Sequence, residues 1–483
     1  MGLVGLVATG ISSMVGAGIN VIPIMIQRNV PGIGASVLPA YLFAAVPAVF
    51  AGLAYAILAS AMPRAGGSYV YASRGLNPYL GFIASFSQWF SLCVAIGVVS
   101  YVLVPFLRDI ALAAGFAWGG ELLDQGGVRL FISISVLWLA VLVNIRGIKP
   151  YERTIVPLVV LTFVLGGIVI VTGFAYSQVD YAGVLRSLGS SFQLTEGPSL
   201  LTPAIFLSAS AVLFSSFIGF DSIAQAGGEA KNPARNLPLA IGISVVLVGI
   251  YYMLFTAAVY HAVPWQFIAQ EGLRHDLTAP GLLGILLPPF WTVLMISGAA
   301  VALIKDLPAM LLAVSRLLFA WAEDGLVPPA VAAVHPKFHT PHVALIASAL
   351  MASLGILGSH VAGDFFLGVD ILVTSMLVNF LLMSLTVLTL PRTNPAIASQ
   401  IAVISSRRWQ IPLATFGIVI LGGFLAVHTW KDLTVPVESW LLRSTPLWFI
   451  VMAAGSVVYF RGVRKLRAAG IDIHERCATM PPE

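Results

Sequence analysis

The chain has 483 residues, of which 59% are hydrophobic and only 9% charged, with a formal net charge of +5. A water-soluble domain carries about 25% charged residues, so most of this surface cannot face water. Two cysteines, Cys93 and Cys477, exclude a disulfide framework and a cysteine-based metal cluster.

In chain order, twelve apolar runs are each long enough for a helix across about 30 Å of hydrocarbon. They are predicted at roughly 3-26, 35-60, 79-107, 129-145, 154-176, 201-225, 238-262, 287-321, 343-359, 366-390, 410-429 and 445-461. The first lacks a basic flank and a credible cleavage site, so it reads as a retained helix and not as a signal peptide. The longest segments between spans are roughly 177-200, 263-286 and 322-342. The whole chain, 1-483, reads as one membrane domain with the lipid bilayer as its surroundings. Of the 25 Lys and Arg, Arg28, Arg108, Arg129, Arg186, Arg274, Lys431 and Arg443 fall on one side and Lys305 inside a span. The others fall on the side that holds both termini. By the positive-inside rule both termini are expected in the cytoplasm. This placement accounts for the positive charge without a nucleic-acid partner. A prokaryotic inner membrane is the expected location.

Three features interrupt the apolar pattern. The first span reads Ser12-Ser13-Met14-Val15-Gly16-Ala17-Gly18-Ile19-Asn20 in its middle, and the sixth reads "LFSSFIGFDS", Leu213 to Ser222. Paired interruptions of this kind in two halves of a chain are the best sequence pointer to a transporter binding site. A broken helix leaves backbone N–H groups for an anion and carbonyls for a cation. It is tolerated at membrane depth only where it lines a cavity or is buried in protein. Close helix packing through small residues is the competing explanation for the glycines. The third feature is Lys305-Asp306 in the middle of span eight. Charges there cost about 2.5–3.5 kcal/mol each on insertion scales and are functional by default.

Other motifs carry less. "GAGINV" lacks the third glycine of a dinucleotide loop and follows no strand. His335, His339 and His342 in "HPKFHTPH" form no strong zinc spacing, so no metal is expected. No cofactor motif or catalytic triad stands out, and the chain does not read as an enzyme.

Four stretches resemble the amino acid–polyamine–organocation superfamily of secondary transporters: "VGAGI" (Val15 to Ile19), "MPRAGGSYVYASRGLNPYLGF" (Met62 to Phe82), "GFDSIAQAGGEAKNPARNLPLAI" (Gly219 to Ile241) and "SRLLFAWAEDGLVP" (Ser315 to Pro328). The resemblance implies an all-α LeuT-like fold with helices one and six broken. It implies a first inverted repeat over 1-176, a second over 201-390, two additional helices over 410-461 and a tail over 462-483. It implies that the amides of Gly16, Ala17 and Gly18 receive a substrate carboxylate. Carbonyls around Phe214, Ser215 and Ser216 would receive its amine, and Phe217 or Phe220 would gate it. Asn20 stands where the family usually has Phe. Gln88, Trp89 and Cys93 are candidates for the wall of the site.

By the same resemblance Lys305 and Asp306 fall where sodium-coupled relatives bind the ion. The lysine that some proton-coupled relatives carry in helix five is replaced near Thr162. Lys305 is therefore expected to stand in for sodium, with Lys305, Asp306 and Asp221 as coupling or gating groups. Asp221 is also readable as a hydrogen-bond acceptor that ties the unwound segment together. Glu229 and Lys231 are expected to lock the following loop. The implied function is sodium-independent, proton-coupled transport of an amino acid or related amine. An amino acid/polyamine exchanger and a non-transporting sensor remain as alternatives. Oligomeric state is left open.

Overall fold

A computed structural model describes residues 1–190, 192, 201–274, 276–362, 365–434, 440 and 443–480. Among the described residues twelve helices are long and apolar enough to cross a membrane. We number them α1 (Leu3–Asn29), α2 (Val37–Ala61), α3 (Pro78–Ala113), α4 (Gly126–Ile145), α5 (Ile148–Ala175), α6 (Pro203–Gln225), α7 (Pro233–Ala262), α8 (Pro289–Glu323), α9 (His342–Ala362), α10 (Phe366–Thr393), α11 (Arg407–Thr434) and α12 (Ser444–Ala468). No strand occurs among the described residues, only an isolated bridge between Ala65 and Ala226.

The starts of several helices follow from a polar residue placed before a proline. Asn77 accepts from the Leu80 amide at 2.8 Å with Pro78 at the first helical position, and Thr202 does the same for Ile205 ahead of Pro203. Proline has no N–H to lose at that position, and the side chain satisfies one of the orphan amides. The segments between spans are partly helical. Gln178–Ser187, Trp265–Glu271 and Ala279–Gly284 form short helices on the face opposite the termini. Residues 191 and 193–200 of the predicted 177-200 segment lie outside the described residues.

The helices sort by burial into a centre and a periphery. The apolar stretch of α1 is 88% buried and that of α3 83%, against 22% for α5 and 28% for α4 and α11. Large side chains such as Phe131, Val164 and Trp430 are therefore the lipid-facing surface that a bilayer requires. At the centre α8 packs against α3, α5 and α1, α7 packs against α2 and α1, and α10 packs against α3 and α11.

The family-like stretches meet at the face that holds the termini. Ala65 pairs with Ala226, and a Cβ on Gly66 would run into the Cβ of Ala320. Gly66 has φ +89°, so the tight turn and the close approach both require glycine.

Candidate functional site

Both interrupted spans are broken. α1 consists of two half-helices, Leu3–Met14 and Ala17–Asn29, separated at Val15 and Gly16. α6 runs from Pro203 to Leu213, tightens into a 3₁₀ turn over Phe214–Phe217 and resumes only at Ser222. The two breaks touch. Gly219 has φ +135°, and a Cβ there would strike the Ser13 carbonyl. A Cβ on Gly18 would lie 3.2 Å from the Ser216 Cα. The glycines thus serve both close packing and unwinding.

The break in α1 leaves carbonyls without helical partners, and α8 supplies one. The Lys305 ammonium donates to the Val15 carbonyl at 2.5 Å and lies 3.4 Å from that of Ser12. Lys305 is fully buried. A cation at the C-terminal end of a half-helix also meets the negative end of its dipole. Tyr252 of α7 donates to the Met14 carbonyl, so the last turn of the first half-helix is held from two sides.

Between the breaks lies a narrow cavity of about 80 Å³. That is well above the roughly 10–15 Å³ a cavity needs to hold one water, so there is room for a small solute. Gly18, Ser13 and Met14 of α1, Ser215, Ser216 and Ile218 of α6, and Asp306 and Met310 of α8 line it. α3 contributes Leu92, Ala95, Val98 and Val99, and α10 with the residue before it contributes Phe365, Val369 and Leu372. Most of the wall is aliphatic. Its polar lining residues include Ser13, Ser216 and Asp306, and the two hydroxyls and Asp306 Oδ1 are buried without a hydrogen-bond partner among the described residues.

The structure distributes the other expected residues differently. Gly16 caps the second half-helix and presses against the Asp306 carboxylate, where no Cβ would fit. Ala17 opens that half-helix, and its side chain lies outside the described residues. Asn20 turns back to the Gly16 carbonyl at 3.0 Å and does not line the cavity. Ser215 bonds to the Val212 carbonyl at 2.6 Å. Phe214, Phe217 and Phe220 are buried behind the cavity wall. Phe217 packs on Tyr41 and Tyr252, Phe220 stacks on Phe380 at 5.1 Å, and Phe214 meets Phe380 and Phe424. It is Ile218, between the first two, that reaches the cavity.

Asp221 ties the unwound segment together. Its carboxylate accepts from the Gly219 amide at 3.1 Å and from Gln88 of α3. Gln88 also accepts from Ser68 at 2.5 Å and from Gln225 at 3.1 Å, so one buried amide joins α3, the α2–α3 connection and α6. Trp89 donates to Ser348 at 3.0 Å, away from the cavity, and Cys93 is buried without lining it. Thr162 bonds within α5 to the Leu158 carbonyl at 2.8 Å.

On the face of the termini, ion pairs pin the central helices. Glu229 pairs with Arg316 of α8, not with Lys231 as the loop sequence suggests; the Lys231 amide instead donates to the Met1 carbonyl at 2.8 Å. Arg74 forms a two-point bridge to Asp324 at 2.7 and 3.2 Å, Tyr69 adds a bond at 2.7 Å, and Arg476 of the tail lies 3.8 Å away. A recess of about 510 Å³ on this face includes Arg316 and Glu229, and one of about 560 Å³ on the opposite face includes Arg108 and Glu271. Neither shares a lining residue with the central cavity. Of the loop histidines, His335 accepts from the Lys337 and Phe338 amides. No group of three or more metal-ligating side chains occurs among the described residues.

Comparison with known proteins gives a family and several relatives. A family profile described as amino acid permease matches residues 1–454. The methylthioribose transporter of Bacillus subtilis (strain 168) is 24% identical over 83% of this chain and 80% of its own length. The branched-chain amino acid permease BcaP of the same bacterium is 33% identical over 39% of each chain. The vacuolar cationic amino acid transporter 4 of Arabidopsis thaliana is 34% identical over 30% of this chain and 24% of its own length. The similarity thus spans less than half the length of the last two relatives.

Proposed function

The chain belongs to the amino acid permease family of the amino acid–polyamine–organocation superfamily, and from that premise we propose that it carries small aliphatic amino acids or related amines across a cell membrane. Such a protein is a transporter and not an enzyme. In this reading it is a secondary active transporter that works by alternating access about the cavity between α1 and α6. It runs without sodium, coupled to protons, in a prokaryotic inner membrane with both termini in the cytoplasm. Helices α1–α5 (1-176) and α6–α10 (201-390) form the two inverted repeats, with α1 and α6 as corresponding broken members.

One observation carries the proposal. The Lys305 ammonium bonds the Val15 carbonyl and reaches that of Ser12, at the end of the broken half-helix. Carbonyls exposed by unwinding are what a coupling cation coordinates in transporters of this architecture. A side-chain ammonium already there supplies the charge from within the protein. Opening toward the cytoplasm would release this bond together with the Arg316–Glu229 and Arg74–Asp324 pairs. The aliphatic wall supports a compact apolar side chain. Ser215, small and turned to its own backbone, offers no ring on which a guanidinium could stack, which weighs against an arginine exchanger.

The test is uptake into proteoliposomes of a radiolabelled panel of amino acids, diamines and a methylthio sugar. Saturable uptake of aliphatic amino acids into empty vesicles supports the proposal. Uptake only into preloaded vesicles would make the protein an exchanger. Uptake of the methylthio sugar alone would remove the amino acid reading.

A further inference from the structure

Among the residues that line the central cavity one carries a carboxyl group, Asp306, and one of its oxygens, Oδ1, accepts no hydrogen bond among the described residues. Asp306 is 4% exposed. Its neighbour Lys305 does not turn toward it. Adjacent residues of a helix point about 100° apart, and the ammonium is engaged by the carbonyls of Ser12 and Val15. The carboxylate lies beside Gly16, at the start of the second half-helix, where a Cβ would collide with it. A buried carboxylate oxygen without a hydrogen-bond partner calls for one.

The rest of the wall says what kind of partner fits. A carboxylate only accepts hydrogen bonds, whereas the Ser13 and Ser216 hydroxyls can donate or accept. Around them stand Val98, Val99, Met310, Val369 and Leu372. The complement is a strong donor on a compact aliphatic body. A charge-assisted hydrogen bond from an ammonium to a carboxylate is about twice as strong as a neutral one, and a buried site gains most from it.

We propose that Asp306 receives an ammonium group of the transported solute and thereby selects primary amines over acids and nitrogen-free analogues. This rests on the reading of the cavity as the substrate site. The ammonium belongs either to an amino acid or to a simple aliphatic amine, and the same experiment separates the two sources.

The test is isothermal titration calorimetry on the purified full chain. The ligands are L-valine and L-leucine, the matching amines isobutylamine and isopentylamine, and the matching acids 3-methylbutanoate and 4-methylpentanoate. Binding of nitrogen-bearing ligands, at least tenfold tighter than of the acids, is the expected result. Asp306→Asn should weaken that binding at least tenfold, and Asp306→Glu less. Should Asp306→Asn fail to fold, Asp306→Ser is the second variant, read against the same ligands with the same expected and overturning results. Amines that bind while the amino acids do not would keep this inference and remove the amino acid function. Amino acids that bind no better than their acids would do the reverse. Unchanged amine and amino acid binding in a folded Asp306→Asn, or no binding of any nitrogen-bearing ligand, would overturn it.

Discussion

Alanine at Gly219 tests whether the two broken helices depend on backbone contact. Gly219 sits at φ +135°, a region that L side chains rarely adopt, and its Cβ would strike the Ser13 carbonyl with the Met14 amide nitrogen 2.9 Å away. Rotation out of the clash is blocked on both sides. The Gly219 amide donates to Asp221 at 3.1 Å, and its carbonyl accepts from Ser222 at 2.6 Å. A forced backbone conformation costs about 1–3 kcal/mol, and overpacking typically costs another 1–3 kcal/mol. The two overlap, so about 3 kcal/mol is expected. The assay is thermal unfolding followed by size-exclusion chromatography, with Gly242→Ala as the control because its Cβ meets nothing within 4 Å. Gly219→Ala should lower the midpoint by roughly 3–6 °C, given about 2–4 °C per kcal/mol for mid-sized domains and less for a longer chain. It should also abolish uptake, while Gly242→Ala does neither. A Gly219→Ala protein with the native midpoint and native uptake would refute the reasoning.

Three further predictions concern the surrounding network. Gln88→Leu leaves Asp221, Ser68 and Gln225 without a shared partner. It should destabilise by about 1.5–3 kcal/mol, the range for a hydrogen bond to a charged group, and a melt comparing it with Gln88→Glu checks this. Asp324→Asn removes the charge that Arg74, buried, and Tyr69 share. It should cost about 3–5 kcal/mol, and the double variant with Arg74→Leu should be less destabilised than the sum of the singles. The Cys477 thiol lies in the tail near Asp324, and burial pushes it up to about 11, with Asp324 adding and Arg74 opposing. Alkylating reagents attack the thiolate. In a Cys93→Ser background iodoacetamide labelling of the folded protein should therefore be slow at pH 8, rise about tenfold per pH unit toward 9.5, and accelerate when the tail is released by denaturant.

What the sequence revealed follows from which signals survive without coordinates. Twelve spans were legible because each apolar run exceeds the bilayer thickness. Their ends shifted where polar residues continue a helix, as in α3, predicted to stop at 107 and running to Ala113 through Arg108 and Asp109. The breaks were legible because glycine and serine interrupt both runs, and Lys305 because charge at that depth has few innocent explanations. Side-chain facing in the unwound segment of α6 was not legible. A 3₁₀ turn followed by extended backbone has no fixed period, so nothing in Phe217-Ile218-Gly219-Phe220 announces that Ile218 reaches the cavity while the two phenylalanines pack away from it. Gln88 was legible as a candidate for the wall of the site, and it does not line the cavity. Its role as a hub depends on Ser68, Asp221 and Gln225, which tertiary packing brings together. Arg316 as the partner of Glu229 was hidden for the same reason, since 87 residues separate them. The aliphatic wall from α3 and α10 carried no signal, because Val98, Val99 and Val369 look like every other membrane valine.

The central claim is that Lys305 occupies the place of a coupling sodium ion. It is tested most directly by uptake of the preferred amino acid into proteoliposomes under an imposed proton gradient, with and without sodium, for the native chain and Lys305→Ala. The account predicts sodium-independent uptake that follows the proton gradient and falls at least tenfold in the variant. Native uptake that requires sodium, or a Lys305→Ala protein that still follows the proton gradient at the native rate, would contradict it.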